Sequence, residues 1–211
     1  MKKYKEKILK GLLDFQKEII QCNQDCVIMN GSRNSSKTFM IVKEIEYNRP
    51  KNVVIFAPVK GMFENIICQL SQHTKLRLSY HFSLFEKEEK NHKMFRCGKA
   101  NNCLNQGNDI NIYWGGSKHL PKDIIYDYAF FEEQFPTTMK VQAKKIFSTV
   151  TCRNYNNYIE RFFPEAKIFN IDYHVILKEK NKLYPKEVMD IIRKEPKDKW
   201  YKEYAILDKE V

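Results

Sequence analysis

Eight consecutive residues, Gly31-Ser32-Arg33-Asn34-Ser35-Ser36-Lys37-Thr38, have the types and order that hold a polyphosphate. They approximate Gly-x-x-x-x-Gly-Lys-Ser/Thr, a loop in which backbone N–H groups and a helix N-terminus cradle a triphosphate. In such a loop Lys37 reaches the β- and γ-phosphates, and Thr38 sets its hydroxyl on Mg²⁺. Ser36 stands where the pattern has its second Gly, the position at which backbone must approach phosphate. ATP and Mg²⁺ are the cofactors this segment calls for. Hydrolysis also needs a carboxylate for the metal and a group that orients water. Glu132 and Glu133 directly follow the apolar run Tyr128-Ala129-Phe130-Phe131. Glu132 is expected to hold Mg²⁺, directly or through water, and Glu133 to orient and deprotonate the attacking water. Without the Lys37 loop upstream, the same pair would be an ordinary acidic loop after a strand.

Two further pieces can serve the same site. Phe15 and Gln16 lie ahead of the loop, where an aromatic ring can stack on adenine while an amide reads its edge; the alternative is a core Phe15 beside a solvent-facing Gln16. Ser148, Thr149 and Thr151 end an apolar run and can sense the γ-phosphate and couple hydrolysis to movement, although strands also end in Ser and Thr for no such reason. His92, Cys97 and Cys103 surround a turn-forming stretch, but a structural zinc takes four ligands and a fourth is not evident. A polar loop is the alternative there. The six cysteines form no paired C-x-x-C knuckles and are expected as reduced thiols.

These residues need elements to position them. Apolar residues from Tyr4 to about Gln21 recur at helical spacing and predict one amphipathic helix. Cys26 to Met29 reads as a strand, Asn30 to Ser36 as a loop, and Phe39 to about Tyr47 as a helix. Val53 to Ala57 is a second strand, stopped by Pro58 and followed by a helix from about Met62 to Leu70. Tyr80 to Phe82 and Met94 to Arg96 read as short strands of a hairpin. Ile110 to Trp114, Tyr128 to Phe131 and Ile146 to Val150 read as strands, Ile168 to Leu177 as extended chain, and Pro185 to Arg193 as a helix. Alternating strands and helices predict an α/β phosphate-loop NTPase fold of the helicase-like kind, with a mainly parallel central sheet flanked by helices.

With 211 residues, a single domain covering 1–211 is the expectation. Lys and Arg number 37 against 26 Asp and Glu, a net charge of +11 that makes a polyanion the first partner to consider. No run approaches the roughly 20 apolar residues of a membrane span, and the charged opening from Met1 predicts a cytosolic protein without a membrane partner.

The loop form Gly31 to Thr38, with Arg33 at its third position and Ser36 in place of Gly, resembles the phosphate loop of the large terminase subunits of tailed bacteriophages. The resemblance continues in order through Phe15-Gln16, Phe56-Ala57-Pro58, Phe130 to Glu133, Ser148 to Thr151, and Lys199 to Tyr204. It implies the ATPase motor that drives double-stranded DNA into a viral prohead. A portal, a small terminase subunit and further copies in a ring would be its partners, in the cytoplasm of an infected bacterial host. Arg33 would contact phosphate or help sense the nucleotide, and Arg77, Arg96 or Arg153 could be the Arg supplied by a neighbour. Two departures stand out. The family's metal-binding acid is usually Asp, whereas this chain has Glu132; the family's nuclease domain also has no room in 211 residues, so ATP hydrolysis without DNA cleavage is expected. The residues alone leave two other readings: another phosphate-loop enzyme, such as a helicase-like fragment or a nucleotide kinase, and a non-enzymatic basic module that meets DNA phosphate through Lys37 and its neighbours. The clusters Lys2-Lys3, Lys144-Lys145 and Lys197 to Lys202 are solvated faces or DNA contacts.

Overall fold

Strands that are apolar on both faces need cover on both sides, and parallel sheets flanked by helices provide it. In the computed structural model, Val27, Ile28 and Met29 are completely buried, as are Val53, Val54 and Ile55. The structure describes residues 2–33, 35–74, 76, 78–82, 110–114, 123–135, 141–151, 161, 163–172, 175 and 194. Among them run α1 (Lys2–Lys10), α2 (Asp14–Ile20), β1 (Cys26–Gly31), α3 (Lys37–Asn48), β2 (Asn52–Phe56) and α4 (Lys60–His73). Then come β3 (Leu78–Phe82), β4 (Ile110–Trp114), β5 (Tyr126–Phe131), β6 (Ala143–Val150) and β7 (Lys167–Ile171). The strand order is β3-β4-β2-β5-β6-β1-β7. The α/β class with a mainly parallel, helix-flanked sheet is thus present.

The chain forms two compact units, one of residues Met1–Met40 with Thr149–Val211 and one of Ile41–Ser148. In the first, β1 pairs in parallel with β7, and Gly31 stands opposite Ile171. Ile8 of α1, Leu12 and Leu13 between the helices, and Phe15, Ile19 and Ile20 of α2 are buried there. The single helix expected from Tyr4 to Gln21 is two helices. The N–H groups of Gly11 and Leu12 reach back only three residues, to Ile8 and Leu9, and Leu13 then adopts extended backbone with ψ 161. Gly11 lowers the cost of ending α1 there, because glycine is the poorest ordinary residue in a helix interior.

In the second unit β2 pairs in parallel with both β4 and β5, β3 with β4, and β5 with β6. Its core gathers Val54, Phe56, Tyr113, Tyr126, Ala129 and Phe131, with Phe56 and Phe131 stacked at 4.7 Å. Offset stacking adds to what burial alone contributes. β3 finds its partner in β4, in parallel; the other arm expected of a hairpin, Met94 to Arg96, lies outside the described residues. So do Asn34, Arg77, His92, Cys97, Cys103, Arg153, the helix expected over Pro185 to Arg193, and Lys197 to Lys202.

Cys22 and Cys26 are free thiols, and burial pushes the Cys26 thiol up to about 11. Cys68 is disulfide-bonded, which corrects the expectation of six reduced thiols. Pairing follows from which cysteines the fold brings together, and spacing along the chain does not encode that. No helix among the described residues is long and apolar enough to cross a membrane.

Candidate functional site

β1 delivers Gly31 to the carboxyl edge of its strand pair, the edge at which open α/β sheets bind ligands. There the chain turns away: Ser32 N–H donates to the Ile171 carbonyl at 2.9 Å, and Ser35 N–H donates to the Ser32 carbonyl at 3.1 Å. The loop folds so tightly that a Cβ on Gly31 would collide with the Ser35 hydroxyl and crowd Lys37. Glycine is required here by close approach. α3 then starts at Lys37, with the Ser36 carbonyl accepting from Met40 N–H at 2.9 Å.

Ser36 has φ 62, the left-handed backbone for which the pattern reserves its second Gly. A side chain there costs on the order of 1–2 kcal/mol. Lys37 is 7% exposed and bends back over the loop, donating from Nζ to the carbonyls of Gly31 at 3.0 Å and Ser32 at 3.1 Å. The buried Ser35 hydroxyl has no hydrogen-bond partner. A buried ammonium, a hydroxyl with no hydrogen-bond partner and the positive end of a twelve-residue helix share one loop, an arrangement whose charge suits an anion. Arg33 is exposed, and Thr38 is half-buried at the first turn of α3.

Phe15 is 6% exposed and belongs to the apolar core; Gln16, on the same helix, is only 2% exposed. Gln16 faces the loop: its Oε1 accepts from Leu13 N–H at 3.0 Å, and its Nε2 donates to the Ser36 hydroxyl at 2.8 Å. Thr149 is fully buried at the end of β6, and Thr151 is half-buried just beyond it. One residue that the sequence reasoning passed over also lies in this unit. Asp172 follows the last residue of β7 and is 2% exposed. Its signal was the one that marked Glu132, an apolar strand running directly into an acid.

In the second unit, Phe56 of β2, Phe131 of β5 and Ser148 of β6 share one register level at the carboxyl edge. Glu132 follows at once, 3% exposed, its N–H donating to the Phe56 carbonyl at 2.8 Å. Glu133 has φ 51 and begins the turn away from the strand. The Ser148 hydroxyl donates to the Gln134 carbonyl at 2.6 Å, tying β6 to the end of that acidic turn. Of the three described non-glycine residues with left-handed backbone, two are Ser36 and Glu133. Such backbone persists only where its surroundings enforce it, and it clusters at functional sites. No group of three or more His, Cys, Asp or Glu gathers among the described residues. Mg²⁺ does not need one, because it keeps waters and binds through one or two carboxylates together with phosphate oxygens.

No family model matches the chain, and no curated protein matches it. Among solved structures, it is similar to a nuclease-deletion mutant of the Type ISP restriction-modification enzyme LlaGI in complex with a DNA substrate mimic. The TM-score is 0.58 at 12% identity, over 80% of this chain and 18% of that one. The similarity is one of fold, and this chain corresponds to less than a fifth of the larger enzyme.

Proposed function

We propose that this chain is the ATP-hydrolysing motor domain of a genome-packaging terminase, moving double-stranded DNA into a prohead. The observation that supports nucleotide hydrolysis is Lys37, a buried ammonium folded over its own loop at the N-terminus of α3, directly after a Ser36 held in left-handed backbone. In this reading the loop of Gly31, Ser32, Arg33, Asn34, Ser35 and Ser36 surrounds the phosphates. Lys37 leaves the Gly31 and Ser32 carbonyls for the β- and γ-phosphates, and Thr38 and Glu132 hold Mg²⁺. Glu133 orients and deprotonates the attacking water. Ser148, Thr149 and Thr151 carry the change in phosphate occupancy into the strand behind them, and Arg33 supports the transferred phosphoryl group.

The DNA partner is supported by the net charge of +11 and by a structural neighbour that was solved with a DNA substrate mimic. Packaging, with its prohead, portal and small terminase subunit, rests on the ordered resemblance of the motifs. A ligand bound only by the folded state raises stability by mass action, about 2.7 kcal/mol at a hundredfold excess over Kd. Mg²⁺ with ATP is therefore expected to raise the thermal midpoint of the wild-type chain and to leave Lys37→Ala almost unmoved. An equal rise in both proteins would remove Lys37 from the site.

A further inference from the structure

Both ends of the Gln16 amide are hydrogen-bonded within the protein. A backbone N–H can only donate, so the Leu13 N–H fixes which end of the amide is oxygen, and Nε2 must be the end at Ser36. The Ser36 hydroxyl accepts that bond and donates its own O–H to the Ser35 carbonyl at 2.6 Å. The result is a directed chain from Leu13 N–H through the Gln16 amide and the Ser36 hydroxyl to the Ser35 carbonyl, which ends inside the phosphate loop. It also bears on the residue that breaks the expected pattern. A glycine at position 36 would adopt φ 62 freely; a serine needs something that holds it there, and its hydroxyl is held from α2.

We infer that Gln16 and Ser36 are a positioning pair that fixes the phosphate loop, with Gln16 acting through the Ser36 hydroxyl. This rests on the nucleotide reading of the Lys37 loop. The test is a double-mutant cycle of Gln16→Met, Ser36→Ala and the double variant, with KM and kcat measured separately for ATP and GTP. Each single change is expected to raise KM by about tenfold, the scale of one lost hydrogen bond, and by the same factor for both nucleotides. The double variant is expected to be no worse than the poorer single. A variant that only folds less well would lower the apparent kcat and leave KM in place. A Gln16→Met penalty several times larger for ATP than for GTP would overturn the inference and make Gln16 a base reader; single effects that multiply would overturn the pairing. A urea-unfolding cycle on the same four proteins without nucleotide is expected to show the same non-additivity, and additive midpoints there would also refute the pair. If the wild-type chain hydrolyses neither nucleotide, the functional reading fails, and the unfolding cycle still decides whether the pair exists.

Discussion

Glu44 lies on α3 with its side chain completely buried. One carboxylate oxygen accepts from Asn48 Nδ2 at 2.7 Å, and the other has no hydrogen-bond partner. Burial pushes the carboxyl up to about 7, against smaller pulls from Lys145, Asn48 and Tyr128. Burial, helped by Glu44, raises the Tyr128 hydroxyl far above its ordinary value. A group whose folded pKa is raised contributes stability that is complete below its unfolded value and fades as pH climbs to the folded one. For Glu44 that window runs from about 4.5 to about 7. Glu44→Gln keeps the shape and cannot ionise, so its urea midpoint relative to wild type is expected to climb across this window. The gain should reach about 3 kcal/mol, at about 1.4 kcal/mol per unit of pKa. A difference that stays flat from pH 4.5 to 8 would mean that Glu44 is not held neutral. Nothing local marked this residue, because a Glu two turns into a helix looks like part of a solvated face until the strands opposite it are known.

At the scale of elements, the acidic turn after β5 depends on β6. The Ser148 hydroxyl is fully buried, and its bond to the Gln134 carbonyl holds the end of the Glu132-Glu133-Gln134 segment. Ser148→Ala removes that bond, at a cost of about 0.5–1.5 kcal/mol. With Glu133 orienting the attacking water as proposed, kcat for ATP is expected to fall more than KM changes. Unchanged kcat would release Ser148 from any part in the site. The strands were legible in the sequence because apolar β-branched and aromatic runs end abruptly at Gly, Pro or acids: Ile110 to Trp114 is strand throughout, and Tyr128 to Phe131 falls short of its strand by only two residues. The break between α1 and α2 was not legible. Periodicity reports which residues are buried, and Ile8, Leu12, Phe15 and Ile19 are buried on both sides of it, so the stripe continues where the backbone does not. For the same reason Phe15 and Gln16 could be seen as an aromatic-amide pair, while the bond from Gln16 to a residue 20 positions later could not.

For the molecule as a whole, the excess of 11 positive charges is an argument about partners, since the sum of many solvated lysines steers polyanions without shaping a fold. In the proposed function, that charge serves a track of DNA phosphates apart from the Lys37 loop. The central claim is that Lys37 drives hydrolysis and that DNA is what the motor works on. The direct measurement is phosphate release from ATP with Mg²⁺, by the wild-type chain and by Lys37→Ala, each with and without double-stranded DNA. The wild-type chain is expected to release phosphate faster when DNA is present, and Lys37→Ala to lose at least about a hundredfold in rate under both conditions. Lys37→Ala hydrolysing ATP at the wild-type rate would contradict the account outright.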